Sequence, residues 1–82
     1  MGKKADQREA RLRAALNRAA AVKQAAATDP LLLDWLRESA QKDPAALAQA
    51  TKMARAKSQQ PSSPDYHQAL VAMGGLEALG LA

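Results

Sequence analysis

The sequence has no cysteine and no phenylalanine, and only one tryptophan, one tyrosine and one histidine. Without cysteine there is no disulfide framework, no thiolate zinc site and no catalytic thiol. With 2% aromatics the chain cannot line a stacking platform for unpaired bases. Long apolar runs are missing too, and none approaches the roughly 20 residues that a membrane span needs. No apolar h-region follows the basic N-terminus, and position 6 is Asp6 rather than the Ser or Thr of a myristoylation signal. Asp6 and Glu9 also fall too early for an acid-poor transit peptide. A cytoplasmic location is therefore expected. β-Branched residues are scarce and no stretch alternates with period two, so strands are not expected. Glycine-rich phosphate loops and paired His–Glu metal spacings are absent, so no cofactor, metal or small-molecule substrate is expected.

What is present is alanine, 21 of 82 residues. Large apolar side chains are few, and Ala has little surface to bury. One small domain of this composition has a thin core, which favours self-association or docking on a partner. The net charge is +4 and unevenly spread. Residues 1–27 hold seven basic and two acidic residues, a net of +5. Residues 28–59 carry +1 and residues 60–82 carry −2.

Three helix starts share a capping residue followed by proline: Asp29-Pro30, Asp43-Pro44 and Ser63-Pro64. Asp and Ser accept from free first-turn N–H groups, and proline at the next position loses no bond there. The expected fold is all-α, a small bundle of three to four helices over about 4–27, 30–41, 44–58 and 64–73. The chain reads as a single domain over 1–82. Residues 58–63 form a linker before the last helix, Gly74-Gly75 breaks that helix, and 1–4 and 74–82 are candidates for flexible ends. The apolar tail is expected to fold back on the second helix.

In the first helix, Leu12, Leu16 and Ala19 share a face with Ala5. Lys4, Arg8, Arg11 and Arg18 form a neighbouring basic stripe, with Arg13 and Lys23 to the side. The second helix has the strongest signal. Leu31, Leu32, Leu33, Trp35 and Leu36 cover more than half its circumference, which marks it as the centre of the fold. The third helix shows a weak face of Ala46, Leu47, Ala50, Met53 and Ala54. Helices two and three form a tight corner over Gln41-Lys42-Asp43. As a helix-turn-helix they would present Gln49 and Lys52 to DNA, but the usual turn glycine is absent.

His67, with Asp65 and Tyr66 beside it and Ser62-Ser63 before it, is the only cluster with catalytic residue types. A general base needs a pocket and a partner, and linker serines before proline are ordinarily caps. No enzyme is expected. The expected function is a non-enzymatic basic helical module that docks on a protein partner, as adaptor, regulator or inhibitor, and self-associates. Its apolar anchors would be Leu32, Leu33, Trp35 and Leu36, with Arg8, Arg11 and Arg18 of helix one steering the partner electrostatically, since Trp and Arg are frequent binding hot spots. The alternative is a small DNA- or RNA-binding accessory protein. It would contact phosphates through Lys4, Arg8, Arg11, Arg13, Arg18 and Lys23. The plain reading of that stripe is a solvated face that keeps an Ala-rich helix in solution.

Overall fold

A computed structural model describes residues 2–82, and side chains from residue 6 onward. The chain forms α1 (Gly2–Ala27), α2 (Pro30–Lys42), α3 (Pro44–Lys57) and α4 (Tyr66–Ala78), with no strand among the described residues. The all-α bundle expected from the sequence is therefore present.

Local chemistry sets the first boundaries. Asp29 is extended, and its carboxylate accepts from Leu31 N at 3.1 Å and Leu32 N at 3.4 Å. Asp43 carries out two tasks at once. Its N–H donates to Ser39 O at 3.0 Å, which closes α2, and its carboxylate accepts from Ala46 N at 3.1 Å, which opens α3. The joint between the two helices is this single residue, where three were expected. The third capping unit behaves differently from the first two. Ser63 and Pro64 lie in a turn, and α4 begins only at Tyr66. Asp65 sits at the cap position, but its carboxylate is drawn 2.8 Å from Lys57 Nζ and makes no capping bond. Residues 58–63 are a run of tight turns, with Gln60 N donating to Lys57 O and Ser63 N to Gln60 O.

The second helix is not the centre of the fold; α4 is. Tyr66, Ala69, Leu70, Met73, Gly74, Gly75 and Leu76 are all buried, and α4 packs against each of the other three helices. A helix apolar on every side belongs in the middle of a bundle. Two clusters lie along it. Tyr66 and Leu70 pack with Ala19 and Val22 of α1. Met73 and Leu76 pack with Leu36, with Leu32, Leu47, Ala54 and Leu79 around them. Each large side chain so buried contributes about 1.5–3 kcal/mol.

Gly74-Gly75 does not break α4. A β-carbon on Gly74 would come within 2.9 Å of Lys23 Cα and closer still to its carbonyl oxygen. One on Gly75 would come within 2.7 Å of Leu36 Cδ1 and 3.1 Å of Leu32 Cδ2. The two glycines let α1 and α2 approach α4 from different sides. The helix ends instead at Ala78 and is closed by Gly80, where φ is +72°. There Leu81 N donates to Leu76 O at 2.8 Å and Gly80 N to Glu77 O at 3.1 Å, a Schellman closure. The expected separate tail is instead the last turn of α4 and its cap: Leu76 and Leu79 reach the Leu36 cluster from the helix itself, and Leu81 beyond it is 40% exposed.

Only the second half of α1 is packed. Ala19 and Ala26 are buried, with Ala15, Val22 and Lys23 partly so. Every residue from Asp6 to Ala14 is exposed. The helix runs on past the N-terminal end of α4 as an arm and gives the molecule extents of 55 × 22 × 18 Å.

Candidate functional site

Two surfaces hold the residues singled out from the sequence, and they are separate. The first is the outer face of α2 and α3. The wide apolar face of α2 divides in two. Leu36 is 2% exposed, so it belongs to the core and is withdrawn as a docking anchor. Leu32 and Leu33 are half-buried. Trp35 and Leu31, one turn apart, point outward at 61% and 79% exposure. Which part of this wide face turns inward is set by where α4 lies, not by the periodicity of α2.

The weak face of α3 also divides. Leu47, Thr51 and Ala54 turn toward the core. Thr51 is accepted there because its hydroxyl donates to Leu47 O at 2.7 Å, so its buried polar group is paired. Ala46, Ala50 and Met53, expected to be buried, are exposed. Trp35, Ala46, Leu47 and Ala50 line an open, largely apolar groove of about 300 Å³ whose polar rim is Ser39, Lys42 and Asp43. Ala50 and Met53 line a second groove of about 330 Å³ that continues toward α4. Short alanine side chains form the floor, so an incoming backbone can approach closely.

The second surface is the α1 arm. Arg8, Arg11, Arg13 and Arg18 are exposed, and none has a carboxylate partner among the described residues. Lys23 is different. It is partly buried, and its Nζ lies 3.0 Å from Glu77 Oε1, tying α1 to α4. The side chain of Lys4 lies outside the described residues. Leu12 and Leu16, expected on the packed seam, are 56% and 55% exposed. The packed face is Ala15, Ala19, Val22 and Ala26 instead, because α4 covers only the second half of the helix.

The remaining candidates are scattered. His67 is exposed, with its ring edge-on to Tyr66 at 5.6 Å. Ser63 Oγ accepts from Asp65 N at 3.3 Å, a turn contact. Gln49 and Lys52 are exposed on α3, but the one-residue joint at Asp43 is shorter than the three- to four-residue turn of a helix-turn-helix. No group of three metal-ligating side chains occurs among the described residues, and no described helix is long and apolar enough to cross a membrane. Comparison with known protein families, with curated proteins and with solved structures gives no match.

Proposed function

We propose that this chain is a non-enzymatic binding module that docks on a protein surface through the outer face of α2 and α3. A second copy of the chain is the first partner to test. The observation that carries the reading is Trp35, more than half exposed at the edge of an alanine-floored groove. An exposed Trp beside an apolar groove is the usual anatomy of a binding hot spot. Leu31, one helical turn before Trp35, and Met53, which lines the neighbouring groove with Ala50, are exposed as well. The thin core points the same way, since a small domain gains stability by covering such a patch. The reading takes the protein as cytoplasmic.

The single Trp reports on its own burial. Sedimentation velocity over a concentration series, with Trp35 emission and iodide quenching in parallel, tests the reading. Assembly with rising concentration, a blue shift and protection from iodide are expected, all removed by Ala50→Glu. Unchanged sedimentation with Trp35 fully quenchable throughout would end the case for self-association, and with it the support for this reading.

A further inference from the structure

The arm of α1 carries a different kind of chemistry. At roughly 100° per residue, the packed stripe Ala15–Ala19–Val22–Ala26 continues toward the N-terminus as Arg8 and Arg11. One face of one helix thus changes from alanine to arginine where it leaves the cover of α4. Arg18 flanks the same line, and the three fall within an arc of about 80°. Asp6 and Glu9 lie on the far side of the helix, so the stripe is not neutralised by its own neighbours. Elsewhere the cations are mostly answered: Lys23, Arg37, Lys42 and Lys57 each have a carboxylate partner.

We propose that the α1 arm binds the phosphate backbone of duplex nucleic acid through Arg8, Arg11 and Arg18. Charge complementarity selects the occupant. The unanswered cations on the described arm are all arginine, whose planar fork matches phosphate oxygens in pairs. They form a straight row about 15 Å long, which suits a linear polyanion better than a local acidic patch on a protein. Residues 6–14 are exposed on every side, so a groove can close around Arg8 and Arg11, and the exposed Arg18, beside the buried Ala19, reaches a phosphate from the groove's rim. A helix is about 10–12 Å across with side chains, and one flank of the arm is slimmed by Ala10 and Ala14, with Leu12 and Leu16 standing out on the other. The major groove of B-form DNA is about 12 Å wide. The arm has no aromatic residue, so a duplex is favoured over a single strand, which is held by stacking.

Fluorescence anisotropy of a labelled, mixed-sequence 24-base-pair duplex, titrated at about 50 and about 200 mM salt, reads the contact directly. Three neutralised phosphates predict a log–log salt slope near −2.7, or affinity about 40-fold weaker at the higher salt. R8E/R11E is expected to weaken binding at low salt at least about tenfold. K52E/R55E changes net charge by the same amount on exposed α3 positions and is expected to leave binding within about threefold. Circular dichroism confirms folding, and the arm variants touch no packed residue. No binding at about 50 mM salt overturns the proposal. So does an equal loss in both variants, which means attraction to net charge alone. Displacement by polyglutamate as effective as by unlabelled duplex at equal charge also overturns it, in favour of an acidic protein partner. None of these outcomes bears on the α2–α3 face, which shares no residue with the arm.

Discussion

Gly74 lies backbone against backbone with Lys23, so closely that no β-carbon fits between α4 and α1. The contact joins the central helix to the longest one, and the Lys23–Glu77 ion pair closes over it. Gly75, its neighbour, faces only the side-chain ends of Leu36 and Leu32. Gly74→Ala is therefore expected to lower stability by about 2 kcal/mol or more, since a clash with main chain cannot relax locally. Gly75→Ala gains about 1 kcal/mol of helix propensity, and the leucine methyls can rotate away, so its net effect is expected near zero. Thermal melts read the difference, with about 4–8 °C per kcal/mol for a domain of this size. Equal shifts would mean that α1 and α4 are not in backbone contact.

Trp35 and Leu36 are adjacent in sequence and opposite in placement. Leu36→Ala should cost about 2–5 kcal/mol, as for other buried leucines. Trp35→Ala should stay within about 0.5 kcal/mol of the parent in dilute solution, as surface changes do. Chemical denaturation of the two variants at low protein concentration decides it. A large loss for Trp35→Ala would return Trp35 to the core.

Asp65 gives up its cap for Lys57. In Lys57→Ala the freed carboxylate can accept from the first turn of α4, which restores about 1 kcal/mol. The half-exposed ion pair it replaces is worth about 1 kcal/mol at most. Lys57→Ala is thus expected to be neutral or slightly stabilising, while Asp65→Ala loses the pair with no compensation. Urea midpoints of the two variants should move apart, and a clear destabilisation by Lys57→Ala would contradict the account.

Asp43 is at once the C-cap of α2 and the N-cap of α3, whereas Asp29 caps α2 and is set apart from α1 by Thr28, although its N–H still reaches Ala26 O at 3.2 Å. Both side chains act as N-caps, and each should cost about 1 kcal/mol when replaced by alanine. Asp43 also sets the joint between α2 and α3 through its backbone, so Asp43→Gly is expected to cost more than Asp29→Gly. The flexible residue there loosens the angle between two helices. Equal losses would show that the angle is held by α4 rather than by the joint.

The starts of α2 and α3 were legible because Asp-Pro fixes a helix entry by local chemistry alone. The later start of α4 was not, since a lysine eight residues away competes for Asp65. The central role of α4 was hidden for a related reason. Its apolar residues face every direction and leave no periodic stripe to detect, whereas the amphipathic α2 announces itself. Gly74-Gly75 has the composition of a helix stop, and only the presence of α1 and α2 on either side gives it another purpose. The arginines were legible as a stripe. Their alignment with the packed face was not, because which face of α1 is covered depends on where α4 begins.

The helix that organises the bundle follows the other three in sequence. During synthesis α1, α2 and α3 are all made before the surface that buries them exists. The main contacts then span some fifty residues between α1 and α4, a high-contact-order closure for so small a helical protein. Residues 2–57 alone should be a loose set of helices with Leu36, Leu47 and Val22 uncovered, prone to association until Tyr66–Ala78 arrives. The bundle acquires its interior only when its fourth helix is made.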